Sequence, residues 1–303
     1  MKEKKILITG ASGFIGKYVL KKIKDNNLEF LTIDTQKVLD VSSENQKVVS
    51  LLDKEKLDEI IKLYKPNVIV HLAAIALVTH KNTGEIYNVN VQGTENLLES
   101  VQKYCDPNTR VILASTAGVY GNQNVDKYRE DLSYNPANHY SYSKMITEYI
   151  SKQYKEDLDI VTIRPFNIIG VGQSEKFLVP KLVEHFADRK EKLFVGNISS
   201  FRDYVDVEYC AEVIMELISR KKLDFDILNI CSGIPTNGEM IIQLLQEITD
   251  FKPEIEISSD FVRKNEVWRM IGDTTRLSEF MNGKKSQSVK DILVKMLDYY
   301  KNR

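Results

Sequence analysis

Three cysteines are all the chain carries in 303 residues. Cys105, Cys210 and Cys231 are scattered and odd in number, with no metal-ligand spacing, so they read as reduced thiols of a cytoplasmic protein and not as a disulfide framework. Histidine is nearly as scarce. His71, His80, His139 and His185 form no HxxxH or HExxH pair, which argues against a metal site. No apolar run is long enough for a membrane-spanning helix. The stretch Ile6-Leu7-Ile8-Thr9 ahead of Gly10 is too short for a signal-peptide core. Net charge is -1 with acids and bases interspersed, so nothing marks nucleic acid or an anionic membrane as a partner. Low-complexity runs and internal repeats are absent too. What remains is a length that fits one large or two modest domains around a real core.

The chain does have alternation. Lys5-Ile6-Leu7-Ile8-Thr9 reads as a buried strand, Gly10-Ala11-Ser12-Gly13-Phe14-Ile15-Gly16 follows at once, and Tyr18, Val19, Leu20 and Ile23 mark an amphipathic helix. Strand, glycine turn and helix in that order predict a dinucleotide site. Gly10 permits the tight turn, Gly13 lets backbone approach a pyrophosphate, and Gly16 lets helix pack on strand. The helix amino terminus, at Phe14 and Ile15, offers N–H groups and a positive dipole end to phosphate. A second strand, Glu29 to Ile33, ends at Asp34, eighteen residues past Gly16. An acid there accepts from the adenosine ribose hydroxyls and repels a 2′-phosphate, so NAD is expected over NADP.

Val48-Val49-Ser50-Leu51-Leu52 reads as a short strand, with Asp53 as cap of a helix carrying Leu57, Ile60, Ile61 and Tyr64 up to Pro66. Val68 to Ala74 and Arg110 to Ala114 are further buried strands, separated by a long helix from about Glu85 to Tyr104. Ile160 to Arg164 is the next strand, stopped by Pro165. The alternation predicts an α/β fold, a doubly wound parallel sheet of the Rossmann kind. Residues 1–165 form the expected dinucleotide-binding domain, with parts of about 203–231 returning to it. Residues 166–303 form a smaller carboxyl-terminal α/β substrate lobe. In it, helices are expected near Val179 to Ala187, Tyr209 to Ser219, Glu239 to Ile248 and from Ser288 on, with a strand at Ile227 to Ile230.

The chemistry is expected at Asn138-His139-Tyr140-Ser141-Tyr142-Ser143-Lys144, read with Ala114-Ser115-Thr116. Tyr140 and Lys144 stand four apart on a helical pattern and so share a face, whereas Tyr142 does not share it with Lys144. An ammonium beside a phenol favours the phenolate and lowers its pKa. Ser115 and Thr116 lie at the carboxyl end of a strand, where open α/β sheets bind ligands.

Six motifs in order resemble the extended short-chain dehydrogenase/reductase family of nucleotide-sugar epimerases, dehydratases and reductases. They are Thr9 to Gly16, His71-Leu72-Ala73-Ala74, Asn88 to Thr94, Ala114 to Gly121, Tyr140 with Lys144, and Arg164-Pro165-Phe166-Asn167. The second half is most similar to the family's GDP-mannose branch through Gly170 to Ser174, Val195 to Ile198, Arg202-Asp203, Asn229 to Gly233 and Arg263 to Val267. The resemblance implies hydride transfer between NAD and C4 of a nucleotide-activated sugar, with a lean to a GDP-sugar, in surface-polysaccharide sugar biosynthesis. It implies Tyr140 as proton carrier, Lys144 as its electrostatic partner and Thr116 on the same sugar oxygen. Leu51, Leu72, Ala73, Ala74, Asn90 and Ser115 would join the glycine loop, Asp34, Tyr140 and Lys144 around the cofactor. Asn167, Lys181, Asn197, Arg202, Arg263 and Glu266 would join Thr116 around the substrate, the arginines on its diphosphate and Glu266 on the nucleotide's ribose. No metal is implied, and a homodimer through the helices near Glu85 to Tyr104 and Tyr140 to Tyr154 is.

The chain departs from the family in three respects. Ser50 stands where members usually carry Asp against the adenine amine. The acid that reductases of the branch often carry near Ala117-Gly118 is missing. Those reductases also commonly use NADPH, which Asp34 disfavours. A 4-epimerase with retained NAD remains the alternative, ahead of a 4,6-dehydratase and of a cofactor-sensing regulator without activity.

Overall fold

The strand–turn–helix pattern at the amino terminus sets the plan of the computed structural model, which describes residues 4–77, 80–257 and 267–302. Two units divide the chain. One holds Met1–Gly121, Ser133–Pro165 and Ala211–Leu228, the other Asn122–Leu132, Phe166–Cys210 and Asn229–Arg303.

The first unit begins with β1 (Lys5–Thr9), α1 (Phe14–Asp25), β2 (Glu29–Asp34), β3 (Gln46–Val48), α2 (Lys54–Tyr64) and β4 (Val68–His71). It continues with α3 (Thr83–Tyr87), α4 (Gly93–Tyr104), β5 (Arg110–Ala114), α5 (His139–Ser151) and β6 (Asp159–Pro165). β1, β4, β5 and β6 are buried along almost their whole length, as strands covered by helices on both faces must be. Helix α1 turns Gly16, Val19, Leu20 and Ile23 inward, the stripe that a 3.6-residue period puts on one face. The sheet runs β10-β6-β5-β4-β1-β2-β3, with β10 (Ile227–Ile230) at one edge. Pairings β1–β2, β1–β4, β2–β3, β4–β5 and β5–β6 are all parallel. The chain winds outward from β1 to β3 and then returns to the other side of β1 with β4. The switch point between β1 and β4 is where such sheets hold ligands.

Two expectations are corrected here. The third strand is Gln46–Val48, not Val48–Leu52. Ser50 accepts from Asp53 N–H through its carbonyl at 3.0 Å and from Leu52 N–H through its hydroxyl at 3.2 Å, and this turn takes those residues off the sheet. The long helix from Glu85 is interrupted: α3, capped by Asn82, passes into a π-helical segment, Asn88–Gln92, before α4 begins. Such a bulge commonly marks a functional position.

The second unit is built on β7 (Asn167–Ile169), α6 (Leu178–Ala187), β8 (Lys192–Val195), β9 (Phe201–Asp206) and the start of α7 (Val207–Ser219). β11 (Pro235–Thr236), α8 (Gly238–Thr249), β12 (Glu254–Ile257), β13 (Arg269–Met270), α9 (Thr275–Phe280) and α10 (Val289–Lys301) complete it. β9 lies between β11 and β13 and also pairs with β7, while β8 and β12 form a separate parallel pair. Leu182, Phe186, Ile241, Leu245, Leu293 and Met296 from α6, α8 and α10 make the core of this unit. No described helix is long and apolar enough to cross a membrane.

Candidate active site

Gly10 lies at φ +74, and a Cβ there would come within 2.6 Å of Ala73 N, so the turn after β1 fits against the end of β4 only as glycine. Gly16 packs against the Gly10 carbonyl with no room for a methyl group. Gly13 precedes α1 with no side-chain cap, and the first turn of α1 carries no acid, so the helix terminus suits an anion. Phe14 and Ile15, in that first turn, are half-buried. Asp34, at the end of β2, accepts from Ser12 N–H and Thr35 N–H, both at 2.9 Å, and so stands at the rim of the glycine loop. Gln36 reaches the same rim, donating to Ser12 Oγ at 3.1 Å. A glycine cradle with an acid at its edge fits the adenosine diphosphate half of a dinucleotide.

Two residues expected at the cofactor also make contacts within the protein. Asn90, in the π-helical segment, is fully buried. It accepts from Ile75 N–H at 2.8 Å and donates to Ile75 O at 3.2 Å and to Ser143 Oγ at 2.9 Å, which uses both amide protons within the protein. It ties the loop after β4 to α5. Leu51 packs in the apolar core, with its carbonyl accepting from Asn96 at 2.8 Å. Leu72, Ala73 and Ala74 keep partial exposure where β4 ends.

Thr116, Tyr140 and Lys144 come together within the first unit. Asn138 caps α5 by accepting from Ser141 N–H at 2.9 Å, which fixes where the helix begins and so where Tyr140 points. Lys144, one turn on, is buried and donates to the Ala114 carbonyl at 2.8 Å. Thr116 follows β5, its hydroxyl accepting from Gly118 N–H at 3.1 Å. Burial pushes the Tyr140 phenol up to about 12, against a hydrogen bond from Thr116 that eases ionisation. Burial also lowers Lys144 to about 8, opposed by the Glu148 carboxylate. The expectation that Lys144 holds the phenol below its ordinary value is therefore corrected. Desolvation sets the shift, and the Lys144 ammonium is turned to the Ala114 carbonyl.

Two buried networks brace this set, and both pass through residues that the motif reading named without a role. His71 lies between Thr9 Oγ1 at 2.7 Å and Thr94 Oγ1 at 2.9 Å. Thr94 donates to the Asn90 carbonyl, so it accepts from His71 Nε2–H, and Thr9 donates to Nδ1. Burial, and next to it the Lys144 charge, lowers His71 to about 3 and keeps it neutral. The second network joins Ser115, Glu148, Arg164, Tyr120 and Tyr134. Its sequence signal was Glu148, four residues past Lys144 and on the same face of α5.

Within the second unit, Asn167 begins β7 and donates to Asp203 O at 3.2 Å. Arg202 lies on β9, two residues before the partner of Asn167, and donates to Phe201 O at 2.9 Å. Lys181 on α6 donates to Phe194 O at 3.2 Å, and Asn197 after β8 accepts from Ser199 N–H at 3.1 Å. The β7–β9 pairing thus brings Asn167 and Arg202 together. Arg263 and Glu266 lie outside the described residues. Asp203 beside Arg202 is structural: it accepts from Ser232 N–H and Oγ–H, Gly233 N–H and Gly272 N–H.

Comparison with known proteins gives a consistent picture. The family described as NAD dependent epimerase/dehydratase matches residues 6–231. GDP-6-deoxy-D-talose 4-dehydrogenase of Aggregatibacter actinomycetemcomitans is 38% identical over 301 residues, covering 99% of this chain and 98% of its own. GDP-6-deoxy-D-mannose reductase of Pseudomonas aeruginosa is 26% identical, covering 99% and 98%. Among solved structures, UDP-glucose 4-epimerase of Thermotoga maritima with UDP-glucose superposes with a TM-score of 0.84 at 26% identity, covering 98% and 99%.

Proposed function

The chain belongs to the NAD dependent epimerase/dehydratase family, and from that premise we propose that it is an NAD-dependent oxidoreductase acting at C4 of a GDP-linked 6-deoxyhexose. The observation that carries this reading is the convergence of Thr116, Tyr140 and Lys144 within the unit that also holds the glycine cradle. The full-length likeness to a GDP-6-deoxy-D-talose 4-dehydrogenase supports the choice of sugar nucleotide.

Bound in the cradle, a nicotinamide dinucleotide supplies the two-electron acceptor for C4. The protein's part is binding, orientation and proton transfer. Gly13 would let backbone approach the pyrophosphate, with Gly10 making the turn and Gly16 the helix packing, and Asp34 would take the adenosine ribose hydroxyls. Leu72, Ala73 and Ala74 leave space at the end of β4. Thr116 hydrogen-bonds the C4 oxygen and orients it. Tyr140 accepts the C4 hydroxyl proton in oxidation and returns it in reduction. Lys144 holds positive charge beside the phenol, and Ser115 supports the cofactor side. Asn167, Lys181, Asn197 and Arg202, with Arg263 and Glu266, are assigned to the sugar nucleotide, Arg202 and Arg263 to its diphosphate.

The test is incubation of the protein with NAD and GDP-6-deoxy-D-talose, following nicotinamide absorbance and product mass. Expected are NADH formation and a product lighter by one pair of hydrogens. A 4-epimerase is the second reading, favoured by the likeness to the Thermotoga maritima epimerase. Its signature is an isomer of unchanged mass without net NADH. Failure to turn over any GDP- or UDP-hexose would defeat both readings.

A further inference from the structure

We propose that Glu148 and Arg164 are positioning residues, whose buried ion pair holds the segment carrying Thr116 against the helix carrying Tyr140 and Lys144. The proposal rests on the functional reading above and concerns residues that it leaves without a part.

Glu148 sits one turn beyond Lys144 on α5, and both are almost completely buried. Each oxygen of its carboxylate is used twice. Oε1 accepts from Ser115 Oγ and from Arg164 Nε at 3.0 Å, and Oε2 from Arg164 Nη2 at 2.6 Å and from Tyr134 Oη at 2.8 Å. Arg164, at the end of β6, also donates to Tyr120 Oη at 2.8 Å. Its guanidinium lies between the Tyr120 and Tyr134 rings, 4.7 and 5.1 Å from their centres.

The consequence is local. Thr116 is flanked by Ser115, bound to Glu148, and by the turn Ala117–Tyr120, whose last residue is bound to Arg164. The ends of the Thr116 segment are thus tied to one ion pair, and that pair is anchored in α5. Lys144 makes the parallel tie one turn earlier, to Ala114 O. A buried ion pair with apolar alternatives of equal volume is often no aid to stability, so its presence here points to geometry.

The pair also bears on charge. The groups around Lys144 are Glu148 and Tyr140 on α5, the Ala114 carbonyl on β5 and the neutral His71 on β4. Those around Glu148 are Ser115, Tyr134 and Arg164. Glu148 opposes the burial that lowers Lys144 to about 8, so loss of its carboxylate lowers Lys144 further.

Glu148→Gln alone would strand the Arg164 guanidinium, so the informative variant is Glu148→Leu with Arg164→Met, which removes both charges and keeps the volume. Lys144 is titrated in the full chain by NMR of 13C-labelled lysine, its resonance assigned by loss in Lys144→Met. The expected midpoint falls by about one pH unit. Turnover should fall roughly tenfold to a hundredfold, with KM held within about twofold. Glu148→Asp should restore the midpoint. Ser115→Ala, which spares the ion pair and its folding, should lower kcat several-fold without moving the midpoint. An unmoved Lys144 midpoint in the folded double variant overturns the proposal, and so does an unmoved kcat in Ser115→Ala. The lysine titration needs no sugar nucleotide. A wild-type protein without turnover would sink the functional reading while the titration still decides this one.

Discussion

At neutral pH Tyr140 keeps its proton, because burial pushes the phenol up to about 12. It is thus poised to donate in reduction, while oxidation needs the phenolate. The oxidative kcat/KM should climb close to tenfold per pH unit from about pH 6 and bend as Lys144 loses its charge near about 8. Reduction should stay flat through neutrality. Tyr140→Phe keeps the ring and removes the proton carrier, so turnover should drop roughly 10²–10⁴-fold with ligand binding nearly intact. More than half the activity retained would take Tyr140 out of the mechanism. Asp34 already holds two backbone N–H groups and keeps a lone pair on each oxygen for ribose hydroxyls. Asp34→Ala should narrow the preference for NADH over NADPH in a binding titration. His71 makes a separate, stability-linked prediction. Its folded pKa, about 3, lies below the ordinary 6.5, so the neutral form is the one the fold favours. That stability is complete above about 6.5 and is lost as pH falls toward about 3. Between pH 7 and pH 4 the loss should be about 3 kcal/mol in urea unfolding, and His71→Gln should flatten that slope.

Among the elements, α5 carries the most. Its start is set by the Asn138 cap, its inner face holds Lys144 and Glu148, and Ser143 joins it to Asn90 in the π-helical segment. Three elements meet at that asparagine: the loop after β4, the π segment and α5. Asn90→Ala would leave the half-buried Ile75 N–H and C=O without their partner. Fully buried stranded groups destabilise by about 1–3 kcal/mol each, so this half-buried pair should cost the variant about 1–3 kcal/mol in denaturant unfolding. A variant as stable as the wild type would mean that the clamp is ornamental. The π segment itself was not legible in the sequence, since Asn88 to Gln92 continue the apolar spacing of an ordinary helix. What shifts the register is the set of bonds that Asn90 makes with residues fifteen and fifty-three positions away.

For the whole molecule, the question is which reaction the assembled groups can complete. A 4,6-dehydration must remove a proton from C5 and protonate the leaving C6 hydroxyl, in addition to moving hydride. Thr116 is followed by Ala117, Gly118 and Val119, none of which exchanges protons. Two acids on the later loop have other partners: Glu130 accepts from Asn229 N–H at 3.0 Å, and Asp131 pairs with Arg129 at 3.2 Å. The missing pair of general-catalysis contributions is worth several kcal/mol of barrier, roughly 10⁴-fold or more in rate. Incubation with GDP-mannose should therefore give no product that has lost the elements of water. Enzymatic loss of water would overturn this expectation.

The sequence by itself determined the parallel sheet, the glycine cradle and the Tyr140–Lys144 spacing, because each is written in neighbours. Apolar runs, glycines at a strand end and an i, i+4 pair are local patterns, and local physics reads them. Caps were legible for the same reason, as at Asp53 and Ser288. The short strands of the second unit were not. β9 runs Phe-Arg-Asp-Tyr-Val-Asp, and its charged residues hide a strand whose partners come from β7, β11 and β13. Only the tertiary structure decided how Tyr140 ionises, since the i, i+4 spacing names a cation while desolvation, which depends on everything packed around the ring, sets the direction. The tertiary structure likewise decided that Asn90 braces the protein, and that Glu148 finds Arg164 sixteen residues on. Hydrogen bonds between distant residues have no period in the chain, and a buried charge chooses its partner by proximity in space.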